Sequence, residues 1–548
     1  MHAVPAATHC GLLLATGIST MPSPSQRASI PLLLLFTAAM ATCVAGCATP
    51  TAPAASGSLL ASDATGPGAA LLLTARELNR ASWGVNTASL QQANATGYAA
   101  WQRNQLHPQT PVLPPAVTSQ LNAMTIAQQP MEQLVASLEA RRKAAADLPS
   151  EEQRADAKRQ YQEELARLGR EAMSRSLLMA LYSPNQLQEQ MTWFWANHFN
   201  VHMNKRFLRA MVGDYEDRAI RPHALGHFRD LLRATAHHPA MLVYLDNAQN
   251  AANRINENYA RELMELHTLG VNGGYSQHDV QELARILTGL GINVSRDAPR
   301  LGRNRQADYV RAGVMEFNPN RHDYGDKVFL GHHIQGRGMA EIDEALDLLA
   351  RSPATARFIS GKIAAYMLAD QPGTAVVERM TRTFLDTDGD IAAVLQTLFN
   401  SPEYKASLGH KFRDPVHYVV ASVRLAYNDT VILNTGPMIN WLRRMGELPY
   451  GHQTPDGYAL DESAWSSPGQ MATRFDIAKA IGSGSAGLFR TDEPAPRERP
   501  AFPQLANPAF YQGMQHTLGP QTRQALGQAG SPQEWNTLLL ASPEMMTR

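Results

Sequence analysis

Residues 256–289 read NENYARELMELHTLGVNGGYSQHDVQELARILTG. Tyr259, Leu263, Leu266 and Leu269 recur at helical spacing, which predicts an amphipathic helix over 257–270. A second helix is predicted over 277–290, after a Gly273-Gly274-Tyr275-Ser276 turn in which the serine serves as N-cap. On the first helix, Asn258, Glu262 and Glu265 fall within about 60° of one another beside the apolar stripe, and His267 lies on the other flank. Glu262 is nearest the apolar side, so its carboxyl is expected to be raised unless Arg261 or Arg285 pairs with it. The second helix carries His278, Glu282 and Arg285 on one face, with Asp279 beside them. Such a cluster suits general acid/base chemistry, a divalent ion, or a buried ion-pair network that locks two helices together.

Outward from this stretch the same periodicity continues. Helices are predicted over 71–106 (two, the first ended by Gly84), 118–182, 184–204, 208–236, 340–351, 355–369, 374–385, 390–400, 413–427, 437–446, 469–483 and 520–541. Extended signals are sparse, and 313–317 and 327–334 are expected to pair as a hairpin. The fold class is therefore mainly α, a large multi-helix globular domain with at most a small β-hairpin. A helical core is expected over 69–430, with a Gly/Pro/Ser-rich helical and loop part over 431–548 packed on it.

Four further segments carry chemical groups. MTWFWANHFNVH, 191–202, is apolar nearly all round and is expected as one buried helix whose Asn197, His198 and His202 need internal partners. His198 and His202 stand four apart, a spacing open to two metal ligands, although hydrogen-bonded core histidines are the favoured reading. The loop FNPNRHD, 317–323, offers His322 and Asp323 either for proton donation or metal binding, or for a local turn. Asp386, Asp388 and Asp390 do not match a calcium loop, because Gly389 comes early and Thr397 stands where a bidentate Glu belongs; Asp390 is expected to cap the next helix. TPDGYALDESAW, 454–465, with His452 before it, places Tyr458 and Trp465 beside Asp456 and Asp461, as a sugar platform or as buried anchors.

The N-terminus reads as an export signal over 1–47, with Met21 an alternative start. Arg27 is its positive flank, Ile30–Ala41 its short apolar run, and Val44-Ala45-Gly46-Cys47 a lipobox-like cleavage site. The apolar run falls short of the about 20 residues that a membrane span needs. Cys47 is the expected lipidation site, and Ala48 after it favours the outer membrane, on its periplasmic or surface face. Residues 48–68 form an Ala/Pro/Ser/Gly-rich tether. The three cysteines, Cys10, Cys43 and Cys47, all lie in the signal region, which excludes disulfides, a Cys-ligated zinc site and haem attachment through C-x-x-C-H in the folded part. The formal charge is zero and no Lys/Arg run is present, which argues against nucleic acid. No P-loop, dinucleotide fingerprint or Gly-x-Ser-x-Gly elbow occurs, so no nucleotide cofactor is expected.

LNRASWG (78–84), GYAAWQRNQL (97–106), MTWFWANHF (191–199), HPAMLVYLDNAQN (238–250), residues 256–289, HDYGDK (322–327), SPATARFISGKI (352–363) and SPEY (401–404) together closely resemble the bacterial domain of unknown function 1800 family. Two positions depart from its pattern: Trp83 stands for a usual Phe, and Ala196 for a common His. The resemblance implies an exported, mainly helical protein without a settled activity. It also implies a partnership with an exported protein of the domain of unknown function 1501 family, which resembles sulfatases and alkaline phosphatases. Two functions are expected from these readings. One is a hydrolase-like envelope enzyme with Glu262, Glu265, His267 and His198 as catalytic groups. Asn197, Asn258, Arg261, Asp279, Glu282, Arg285, His322 and Asp323 would be its binding groups, with a divalent metal ion as an open cofactor. The other is a non-catalytic, lipid-tethered scaffold or binding partner for such an exported protein or for a surface polysaccharide.

Overall fold

In the computed structural model, which describes residues 67–548 except 296, 428–429 and 491–501, helix starts follow a repeated local rule. Ser352-Pro353, Ser401-Pro402, Asp414-Pro415, Ser467-Pro468, Asn507-Pro508 and Ser531-Pro532 each open a helix. In all six the polar side chain accepts a backbone N–H of the first turn, and proline takes the first helical position. The cap satisfies a donor the helix cannot, and proline's fixed φ suits a position that needs no N–H. Asp390 caps the Ile391–Phe399 helix in the same way. The signal-like segment, Cys47 and most of the tether lie outside the described residues, and the first helix begins at Pro67.

The described residues fold as a mainly α protein of twenty-four α-helices with two small antiparallel sheets. The longest helix, Glu151–Tyr182, opens on a Ser150/Gln153 capping box; its first half is largely exposed, and it enters the core from Leu165 onward. Pro353–Met367 packs on Thr374–Asp386, which packs in turn on Ile391–Phe399, and Pro468–Gly482 packs on Pro532–Leu540. No described helix is long and apolar enough to cross a membrane.

Several element boundaries differ from the sequence expectation. The 313–317 and 327–334 segments do not pair with each other. Met315–Phe317 is the centre of a three-stranded sheet between Leu290–Ile292 and Val310–Ala312, while Lys327–Phe329 turns back on His332–Ile334. The second helix of the 256–289 stretch thus ends at Ile286, and the chain turns extended from Leu290. The expected 208–236 helix is broken into short helical pieces, including a π-helical turn at Tyr215–Ile220, before Phe228–His237. The 118–182 and 520–541 stretches each divide at short turns.

Candidate functional site

The expected site residues separate into two groups by what surrounds them. Asp279, Glu282, Arg285, His322 and Asp323 are sealed in local bonds. Asp279 accepts the Ser276 N–H (2.8 Å) as part of a capping box and the Leu330 N–H (2.8 Å) with its other oxygen. Glu282 accepts Arg285 (2.7 Å) and the Val328 N–H (2.9 Å), and Arg285 also donates to Asp323 (2.7 Å). His322 donates to Glu341 Oε1 (2.6 Å) from one ring nitrogen, and the other faces the Thr288 carbonyl (2.7 Å). Lys327 completes a fully buried triad by donating to Glu341 Oε2 and to the Asp323 carbonyl. These groups join the Gln277–Ile286 helix to the 317–334 segment and to the Met339–Ala350 helix. Their roles here are structural.

Two other expected binding residues also serve the backbone or the surface. Asn258 donates to the Leu245 carbonyl (3.1 Å), and Arg261 pairs with Glu257 (3.2 Å) and Gln277 (2.9 Å).

The second group is different. Neither Arg261 nor Arg285 reaches Glu262, whose half-buried carboxylate has no hydrogen bond or ion pair among the described residues. Burial raises it above the usual carboxylate range, and the like charges of Glu265 and Asp456 add to this against Arg261. Glu265 in turn lies against Tyr275, whose phenol is raised by burial and by that carboxylate. Beneath them the chain leaves the Asn258–Glu265 helix in a tight turn that ends at Gly270. There φ is +80°, and a Cβ would come within 2.8 Å of the Phe358 ring, so only glycine fits. That turn carries His267 into the core, fully buried, with neither ring nitrogen partnered among the described residues.

His198 lies 6.0 Å from His267, centroid to centroid. Its Nε2 donates to the His267 carbonyl (3.0 Å), and Nδ1 is left without a partner. Burial, and then the Lys362 ammonium nearby, drive both imidazoles toward the neutral form; His267 is pushed down to about 3. The Gln186–His198 helix stops at His198, because Phe199 leaves the helical region (φ −98°, ψ 52°). His202 is therefore not one helical turn further on, which removes the spacing argument for a His198/His202 metal pair. Among the described residues no group of three or more His, Cys, Asp or Glu side chains is placed to hold a metal ion.

The segment 450–465 closes the outer side. Asn197 clamps it from both directions, donating to the Tyr458 carbonyl (2.9 Å) and accepting the Tyr458 N–H (2.6 Å). Asn200 donates to the carbonyls of His452 (3.1 Å) and Thr454 (2.7 Å), and Tyr244 to that of Gln453 (2.8 Å). Tyr458 and Trp465 are anchors rather than a sugar platform: their polar atoms bond to the carbonyls of Leu448 and Ala459, and Trp465 is buried. What the segment presents outward is Asp456. Its carboxylate is raised somewhat by burial but held below its usual range overall by hydrogen bonds from Thr454 (2.5 Å) and His452 (3.1 Å). Three non-glycine residues with left-handed backbone, Arg206 (φ +51°), Asp246 (+62°) and Tyr450 (+58°), belong to the segments that meet here; Met203 N–H bonds the Tyr450 carbonyl and Lys205 the Asp246 carboxylate. Backbone strain of this kind persists only where surrounding structure enforces it, and it concentrates at functional sites.

Sequence reasoning missed Lys362, on the Pro353–Met367 helix. No local motif flags it; only the packing of that helix, which sets its Nζ 5.4 Å from the Phe358 ring, brings its charge within electrostatic reach of His198, His267 and Asp456. Two open grooves lie elsewhere, of about 520 Å³ beside Leu330, Glu344, Asp347 and Arg351 and about 430 Å³ beside Asp214, Arg218 and His238. Most of their charged groups are paired, Glu344 with Arg337, Asp347 with Arg229, Arg351 with Asp388, and Asp214 with Arg218 and His238, while Glu132 at the second groove has no hydrogen bond or ion pair among the described residues. At the Glu262–His267–His198 junction an unpaired carboxyl and two imidazoles with unpartnered ring nitrogens lie close together, which makes it the candidate site.

The clamp is testable through Gly457, where φ is +77° and a Cβ would stand 2.2 Å from the Asn197 carbonyl oxygen. Gly457→Ala is expected to detach the 450–465 segment and to cost about 2 kcal/mol or more. Amide exchange within 450–465 should rise while exchange in the Glu151–Tyr182 helix stays unchanged.

Fold and site together define a large helical protein with a small β appendage and an acid–imidazole–lysine junction closed by one long loop. The chain belongs to the DUF1800 family of proteins of unknown function, whose model matches residues 76–547. No curated protein and no solved structure matches it.

Proposed function

We propose that this protein is an envelope hydrolase working by general acid/base catalysis, with Glu262 as the acid and Asp456 as the base. The observation that carries the reading is the opposed environment of the two carboxyls. Glu262 is unpaired and raised by burial, which favours the protonated form that a general acid needs; Asp456 is favoured as the anion by hydrogen bonds from Thr454 and His452. A pair pushed apart in this way can divide the two proton transfers of a hydrolysis between them. Glu265 supports the raised state of Glu262 by like-charge repulsion, and Asn197 holds the loop that carries Asp456. The lipobox-like Val44–Cys47 stretch supports a lipid anchor, with the folded part held at the outer membrane. An exported partner protein remains part of this proposal.

The test is turnover of a panel of chromogenic glycosides and esters by the purified protein. Glu262→Gln is expected to lower kcat by about 100-fold or more while the fold is kept, and to abolish the alkaline limb of the pH–rate profile. Equal turnover by Glu262→Gln and the parent, or none by the parent on any class, defeats the reading. The scaffold alternative draws its support from the sealed Asp279–Glu282–Arg285–Asp323 network, which does purely structural work in the longest family-like stretch.

A further inference from the structure

The hairpin of Lys327–Phe329 and His332–Ile334 turns through Leu330 and Gly331, both left-handed (φ +50° and +79°). A two-residue turn of this kind makes Phe329 and His332 the hydrogen-bonded pair. Val328 and His333 then form the pair whose N–H and C=O groups point out of the two edges. One edge is closed, because the Val328 N–H donates to Glu282 (2.9 Å) and the Leu330 N–H to Asp279 (2.8 Å). The other edge is open: the sheet ends at His332–Ile334, His333 is exposed, and its outward N–H and C=O have no partner among the described residues. The cleft of about 520 Å³ starts at this end of the hairpin, with Leu330 and His332 in its wall. Leu269, Leu330 and Leu348 give it an apolar lining, and Val271, 67% exposed, carries the apolar surface outward from Leu269. The charged side chains that line it, Glu344, Asp347 and Arg351, are each already in an ion pair. An apolar centre inside a neutralised polar rim is the anatomy of a protein-binding patch. Leu330 also stands where such a turn favours glycine or asparagine, and backbone strain of that kind gathers at ligand clamps.

We infer that this cleft and the open edge beside it form a docking site for an extended segment of a partner protein. The segment pairs its backbone with His333 and seats an aliphatic or aromatic side chain against Leu269, Leu330 and Leu348. The open edge selects a strand, since an extended backbone brings a donor and an acceptor at the spacing His333 offers. The lining selects an uncharged side chain, because a carboxylate or ammonium buried there finds no free counter-charge among Glu344, Asp347 and Arg351. The inference stands on the hairpin and the cleft and not on the hydrolytic reading.

The test is fluorescence anisotropy of the purified full chain with labelled octapeptides of alternating Thr and Val that carry a central Leu, Phe, Lys or Asp. The Leu and Phe peptides are expected to bind saturably, about tenfold or more tighter than the Lys and Asp ones. Methylating the peptide backbone nitrogen at one of two successive positions should weaken binding about fivefold, and at the other leave it unchanged, because a strand turns only alternate N–H groups toward its neighbour. Leu330→Gly suits the left-handed turn and keeps the hairpin, yet should weaken the Leu peptide about fivefold by removing part of the lining. Should that variant misfold, the methylated peptides still decide the matter on the parent protein. No saturable binding up to about 1 mM, equal binding of the Leu and Asp peptides, or tolerance of methylation at both positions overturns the proposal. Concentration-dependent dimers in sedimentation that Leu330→Gly disperses would assign the edge to a second copy of the chain and overturn it as well.

Discussion

Replacing Glu341 by alanine is expected to lower the free energy of unfolding by about 3–5 kcal/mol. The Glu341 carboxylate is completely buried and holds four donors: His322 Nε2, Lys327 Nζ, and the backbone N–H groups of Arg337 and Gly338 (3.1 Å each). The two backbone groups are orphan donors at the start of the Met339–Ala350 helix, so the same side chain caps a helix and neutralises a lysine. Alanine leaves the Lys327 ammonium in the core with only the Asp323 carbonyl, and an uncompensated buried charge is the costliest outcome of breaking an ion pair. Lys327→Met alone removes the charge that needs the carboxylate, while His322 and the two N–H groups still use it, so its cost should be smaller. The Lys327→Met/Glu341→Ala double variant should be more stable than the two single losses added together predict, because it strands no ammonium. Urea unfolding of the four proteins at pH 7 decides this, and additive losses would show that the triad is not a coupled unit.

Much of this architecture was legible because it is local. Ser-Pro, Asp-Pro and Asn-Pro helix starts, the Asp390 cap and the Ser276 turn are decided within four residues. The helical periodicity of 256–289 likewise placed Glu262 half in and half out of the core without reference to the rest of the chain. What escaped the sequence depends on distant partners. Strand pairing at Met315–Phe317 is chosen by Leu290–Ile292 and Val310–Ala312, and three-residue strands carry too little pattern to announce it. The end of the helix at His198 is tied to Asn200 and Tyr215, which bond the 452–454 carbonyls and the Phe199 carbonyl.

Helical-wheel reasoning also grouped Glu262 with Asn258, offered Arg261 and Arg285 as its counter-charges, and placed Glu282, Arg285 and Asp279 together on the second helix. The real partners of that second set are Asp323 and the backbone of Val328 and Leu330, about 40 to 50 residues along the chain. Glu262 is left unpaired for that reason. Lys362 and Asp456 come from a helix and a loop 100 and more residues away; Lys362 sits in no chemical pattern, and the sequence offers Asp456 only as part of a sugar platform with Tyr458 and Trp465.

His267→Leu is expected to change the acid response of the fold by roughly 2–3 kcal/mol between pH 7 and pH 4.5. In the unfolded chain this imidazole takes up a proton near pH 6.5; in the fold, burial first and Lys362 second push it down to about 3. Between these values the unfolded state binds more protons, so the histidine's contribution is fully present above about pH 6.5 and is lost as pH falls toward 3. His198, His237 and His417 are depressed by burial in the same sense, whereas Glu77, Glu189, Glu262 and Glu447 are raised and act oppositely over the same range. The net profile of the parent therefore mixes both signs, and only the difference between parent and variant isolates His267. The Leu variant should lose less stability on acidification than the parent; parallel urea midpoints from pH 7 to 4.5 would show that His267 does not titrate as its burial requires. At pH 7 the same variant removes two unpartnered ring nitrogens from a fully buried position among Phe199, His198 and the Gly270 turn, and a leucine of similar volume is expected to be neutral or stabilising there.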